Sequence, residues 1–207
     1  MRTFLLSALL IFLCASSFGM SKNILWKKLY EKEGVTVYNA SVSGSKLVAF
    51  RGTVFIKASP DDLVSVFKDS ENWGIWTDLL YIGKVYKTPI ENQLVFYQAF
   101  KSPPFIDDRD AVYNVLFERD EKSGVQKVTA KSIDYSGAPD TVGIRMNIEF
   151  SRWTLTPRDG GTWLELETHA DPGGWIPAWL TNFVQRTYCY DLLSKLRIHT
   201  IESGVKK

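Results

Sequence analysis

The sequence predicts an α+β fold, a curved antiparallel β-sheet wrapped around one long C-terminal α-helix. Two observations carry that reading. Between residues 82 and 170 the chain reads as strand after strand, joined by short connections rich in turn residues, which is the pattern of an antiparallel meander. The chain then ends in one helical stretch, opened by the breakers Pro172, Gly173 and Gly174, with Pro177 in the first turn where its missing N–H costs little. A sheet this long must curl, and a single long helix can fill its hollow side.

In chain order, residues 24–32 are expected as a short amphipathic helix with Ile24, Leu25, Trp26 and Leu29 as its apolar set, ended by Gly34. Strands follow over 35–42 and 47–56, joined by a Ser-Gly-Ser turn. In the second, Val48, Phe50, Gly52, Val54 and Ile56 alternate with Arg51, Thr53 and Lys57, so one face is buried. Ser59 is an N-cap residue with Pro60 behind it, opening a helix through Lys68. Residues 72–80 read as a second short helix carrying Trp73 and Trp76. The later strands are expected over 82–87, 93–100, 110–118, 125–134, 143–155 and 162–170, with turns at Glu91-Asn92, Ser123-Gly124 and Asp159-Gly160-Gly161. The apolar parity changes within 143–155: Ile144, Met146, Ile148 and Phe150 share one, Trp153 and Leu155 the other. A bulge or bend near Ser151 would reconcile them. Residues 136–140 form a polar loop. On the final helix Ile176, Trp179, Leu180, Phe183, Thr187, Tyr190, Ser194, Ile198 and Ile201 recur at helical spacing. That face either packs on the sheet or closes a cavity.

With 207 residues and 45% hydrophobic content the chain can build one large core. Its net charge of +2 does not suggest a nucleic-acid surface. Residues 1–19 have the form of a signal peptide: Arg2, an apolar run from Phe4 to Leu13, and small residues Ser17 and Gly19 before Met20. An uncleaved anchor is the rival reading. Cleavage would give an exported, periplasmic or secreted chain of residues 20–207, expected to be monomeric. That chain keeps only Cys189, so no intramolecular disulfide can form. Two His and so few Cys leave no Cys/His zinc site. No catalytic constellation, metal site or cofactor motif is read. His169, beside Glu165, Glu167 and Asp171, shares the parity of a polar strand face and is expected on the solvent side.

Several segments together resemble a known family. They are Val35-Thr36-Val37-Tyr38, Phe50-Arg51-Gly52, Trp73 with Trp76, the stretch from Pro103-Pro104-Phe105 to Arg109-Asp110, Gly143-Ile144-Arg145, Trp153-Thr154-Leu155-Thr156-Pro157, and His169 through Pro177. In this order and spacing they resemble a START domain, the lipid-transfer module named after the steroidogenic acute regulatory protein, here in an exported, bacterial-type form. The resemblance implies the helix-grip fold, with a lipid tunnel between the sheet and the C-terminal helix. Sterol-carrying members place an acidic residue on the strand before the Arg-Asp pair and a second Arg six residues after the first; this chain has Phe96 or Tyr97 and Val115 there.

The resemblance implies non-covalent binding of one lipid or other hydrophobic molecule, transient membrane contact and no cofactor. The residues expected at the ligand are Trp73, Tyr97, Arg109, Arg145, Trp179, Leu180 and Phe183. Arg109 and Arg145 each admit two readings, an anchor for a carboxylate or phosphate, or a structural ion pair. The 136–140 loop and the helix start are expected to form the gate. Two other functions stay open: an enzyme resembling polyketide cyclases or hydrolases on the same grip, and an interaction module whose cavity is filled by Trp and Phe.

Overall fold

A computed structural model describes residues 24–202. The expected signal segment, 1–19, lies outside the described residues. The strands are β1 (Lys27–Lys32), β2 (Val35–Ser41), β3 (Val48–Ile56), β4 (Leu80–Lys87), β5 (Gln93–Phe100), β6 (Arg109–Arg119), β7 (Gln126–Ser132), β8 (Ile144–Arg145), β9 (Asn147–Arg158) and β10 (Gly161–Asp171). The helices are α1 (Pro60–Lys68) and α2 (Ala178–Glu202), with a 3-10 segment at Ser70–Ile75. One ten-stranded sheet runs in the order β1-β2-β3-β10-β9-β7-β6-β5-β4, with β8 joined to β6. The chain leaves β3 through α1 and the 3-10 segment to reach the far edge. It then returns hairpin by hairpin until β10 pairs with β3. This is the predicted sheet-and-helix architecture.

Register builds the hollow face. Val37 opposes Gly52, Gly52 opposes Leu166, and Leu166 opposes Trp153. Trp153 opposes Val128, which opposes Phe117. Directly opposed residues point to the same side of a sheet, so these form one buried row across six strands, β2 to β6. α1 and α2 both pack against this side: Leu63, Val64 and Phe67 of α1 and Cys189, Leu192, Leu193 and Leu196 of α2 join its core. Gly52 lets α2 come close. A Cβ on Gly52 would lie 2.4 Å from Leu193 Cδ1 and 2.8 Å from Cys189 Sγ.

Four expectations need correction. Residues 24–32 contain β1 rather than a helix. Glu33 and Gly34 have φ of 50° and 75°, the two left-handed residues of a tight hairpin between β1 and β2. A glycine after a short apolar run serves a helix end or a hairpin equally well. Residues 72–80 hold no α-helix; the 3-10 segment precedes β4, and the Trp73 indole donates to the carbonyl of Val66 (2.8 Å). The 143–155 strand is broken at Met146. Its first piece, β8, pairs in parallel with Arg109 and Asp110, the one parallel contact among the described strands. The bulge lies at Glu149, where the register slips between His169–Phe150 and Ala170–Ile148.

The fourth concerns α2. Its buried residues are Thr181, Cys189, Leu192, Leu193, Ser194, Leu196 and Thr200. The face expected to be inward is largely outward: Trp179 is 72% exposed, Phe183 55%, and Ile198 and Ile201 are also open. Apolar residues occur all round this helix, so their spacing cannot select the face that packs.

Candidate functional site

The first turns of α2 cover the hollow side where the central ladder ends. The β3–β10 pairing stops at Phe50 and Thr168. Beyond it the helix supplies the partners: Asn182 Oδ1 accepts from the Val48 N–H (3.1 Å) and Gln185 Nε2 donates to the Ala170 carbonyl (2.8 Å). Backbone groups that would otherwise lack a partner thus tie the helix to two strands. Neither residue stands out in the sequence, because Asn and Gln on a helix usually face water. Between these turns and the edge of the sheet lies a cleft of about 270 Å³, bordered by Leu29, Val48, Phe50, Trp179 and Phe183. Leu180 is half-buried beside it in the same turn.

Deeper on the hollow side, β5 and β6 contribute Phe96, Gln98, Arg109, Ala111 and Tyr113, which share one face by register. The Tyr113 hydroxyl donates to Gln98 Oε1 (2.5 Å), and Gln98 Nε2 donates to Ser70 Oγ (2.8 Å). Burial pushes the Tyr113 phenol well above its usual range, with neighbouring Tyr188 adding to the shift. Burial also pushes Tyr188 on α2 up to about 12, although part of its side chain stays accessible.

Tyr97 and Arg145 are not on this side. Alternation puts Tyr97, with Val95, Ala99 and Val112, on the convex face, where Ile133, Tyr135 and Ala138 cover it. The Tyr97 hydroxyl donates to Asp110 Oδ2 (3.3 Å), and burial followed by the Asp110 charge pushes the phenol up to about 12. Asp110 is fully buried and also accepts from Arg145 Nε (2.5 Å), Arg145 Nη2 (3.2 Å) and the Val142 N–H (3.0 Å). Arg145 Nη2 donates as well to the Pro139 carbonyl (2.9 Å). Arg145 is therefore a structural ion pair, and Tyr97 holds that pair rather than facing α2. The 136–140 loop belongs to the same convex cover. It cannot gate a space on the other side of the sheet, and that expectation is corrected too.

Trp73 is half-buried beside α1, its ring tilted against Phe67 at 6.1 Å and against Trp76 at 5.4 Å. Arg109 alone of the two arginines points to the hollow side. It is 7% exposed, its Nη1 donates to the Asp107 carbonyl, and its Nε has no partner. His169 is buried rather than solvent-facing, its ring 5.9 Å from Phe150. On the loop before β6 and around the start of α2 large apolar side chains stand in solvent: Phe105 is fully exposed, Trp175 92% and Trp179 72%.

No family model matches the chain. The fold is similar to the crystal structure of a STAR-related lipid transfer protein fragment from Xanthomonas axonopodis, with 30% identity, a TM-score of 0.75, and coverage of 84% of this chain and 97% of that one. The sequence is 26% identical over 167 residues to the phosphatidylcholine transfer protein of Mus musculus, covering 78% of this chain and 77% of the relative. Human STARD10 shares the fold with a TM-score of 0.77 at 16% identity, over 86% of this chain and 73% of that one.

Proposed function

Because this chain belongs to the STAR-related lipid transfer (START) family, we propose that it binds one lipid, or a hydrophobic molecule of similar size, between α2 and the hollow side of the sheet, and carries it between membranes. The observation that carries this reading is the buried apolar row facing α2, while the first turns of that helix are anchored to strands through Asn182 and Gln185. Retention comes from apolar burial, worth roughly 25 cal/mol per Å² removed from water. No covalent step is needed. The ionisable groups on the hollow side include Tyr113 and Tyr188, whose phenols burial keeps protonated. That favours a binding site over the cyclase-like alternative, which needs convergent acid–base groups.

Exposed Phe105, Trp175 and Trp179 suit the membrane contact. Aromatic side chains partition into the interfacial region of a bilayer, and these three lie on the loop before β6 and around the start of α2. Opening at this end would also move the helix turns bonded to Val48 and Ala170.

The test is native mass spectrometry of the chain purified from its own host, followed by transfer of a fluorescent lipid between vesicles. About one lipid per chain is expected, as for a single pocket. Replacing Phe105, Trp175 and Trp179 together with Ser should slow transfer roughly tenfold through weaker interfacial contact. A chain that neither retains nor takes up sterols, fatty acids or phospholipids would defeat the reading.

We also propose export with cleavage after residue 19, supported by the charged, apolar and small-residue order of the first residues. The intact mass of the host-derived protein should place its N-terminus near Met20. Full-length chain recovered with the membrane fraction would instead establish an anchor.

A further inference from the structure

We propose that Arg109 is an oxyanion receptor inside the lipid-binding space, and that the chain therefore selects lipids with a carboxylate or phosphate headgroup. The proposal rests on the lipid-binding reading above.

Arg109 and Asp110 are consecutive strand residues, so they point to opposite faces. Asp110 goes to the convex side, where Arg145 neutralises it. Asp108 is occupied by Lys101 Nζ (3.0 Å), the Ser102 N–H (3.0 Å) and the Tyr81 hydroxyl (3.1 Å). Asp107 meets Arg109 through its backbone carbonyl. Among the described residues, then, no carboxylate lies within ion-pair distance of Arg109, although three aspartates, Asp107, Asp108 and Asp110, stand beside it in the chain.

A guanidinium stays a cation when buried. Without a counter-ion it is costly unless something supplies one, and a half-satisfied buried charge is a poor structural device. Here a neutral carbonyl takes one N–H group and Nε–H is left with none. The position lies on the hollow face, on the same side of β6 as Ala111 and Tyr113. Gly174 packs over the fork, and a Cβ there would lie 3.5 Å from Nη2 and 2.5 Å from Ile144 Cδ1. The backbone before α2 thus runs beside the guanidinium at a residue with φ of 69°, where a side chain would strike Ile144. A planar fork with spare donors matches the two oxygens of a carboxylate or phosphate. The apolar surface of the hollow side would hold the attached chains.

The experiment uses the delipidated chain from residue 20 onward and two probes with the same acyl chain, cis-parinaric acid and its methyl ester, read by fluorescence. Wild type should bind the acid at least about tenfold more tightly than the ester, as a charge-assisted pair would give. Arg109→Gln should abolish that preference, bringing the acid down to about the affinity of the ester. Arg109→Lys should keep the preference but weaken it, because the charge remains and the fork is lost. Equal affinity of wild type for acid and ester would overturn the proposal, and this comparison stands even if Arg109→Gln does not fold. A preference that survives in Arg109→Gln would overturn it as well. So would saturation by inorganic phosphate alone with no gain from an acyl chain. Failure to bind either probe would instead sink the lipid-binding reading itself.

Discussion

Gly52→Val should lower the stability of the chain by about 3 kcal/mol, the upper part of the usual range for overpacking a core. The added Cβ would stand 2.4 Å from Leu193 Cδ1 and 2.8 Å from Cys189 Sγ. Both neighbours are essentially unexposed, so neither can swing away into water. Gly52 itself is fixed between Val37 and Leu166 by the ladders on either side, so the strand cannot retreat either. A valine is a better strand former than glycine by less than about 1 kcal/mol, so the steric penalty wins. In a chain of this size the loss corresponds to roughly 6–12 °C in melting temperature. Combining Gly52→Val with Leu193→Ala should recover part of it, because the second change removes the atom that the first one strikes. Thermal denaturation of the two single variants and the double variant gives the coupling. An unchanged midpoint for Gly52→Val would mean that α2 does not rest on β3.

The same close approach explains why the sequence located α2 and misread its orientation. The strand pattern of β3 was legible because Phe50, Gly52, Val54 and Ile56 recur at every second residue on the hollow side, and the Pro-Gly-Gly break before α2 marks where the helix begins. Its inward face is set by where a glycine leaves room, and Cys189 and Leu193 fit over Gly52. Spacing and the family resemblance turned Trp179 and Phe183 inward, but both are exposed.

Tyr97 was ambiguous for another reason. Val95 through Ala99 are all buried, because the 133–138 segment covers the convex side of β5 while Gln98 and Phe96 face the hollow one. A strand buried on both faces shows no alternation from which to choose. Arg109 and Asp110 were legible as a pair of opposed charges at a strand start. Only the fold shows that Arg145, arriving on β8, takes the aspartate and leaves Arg109 with a carbonyl.

That assignment gives the second large effect. Arg145→Met should cost about 3 kcal/mol, the lower end of what breaking a buried ion pair from one side costs. The two partners are not equivalent. The Asp110 carboxylate is fully buried and the Arg145 side chain is 38% exposed. Removing the arginine strands a negative charge in the protein with only the Val142 N–H and the Tyr97 hydroxyl to hold it. Removing the charge of the aspartate leaves an arginine that can turn to water, so Asp110→Asn should cost less, about 1–2 kcal/mol for the weakened hydrogen bonds. Urea denaturation of both variants at pH 7 measures this difference. Equal losses would show that the aspartate is held by the convex cover rather than by the arginine.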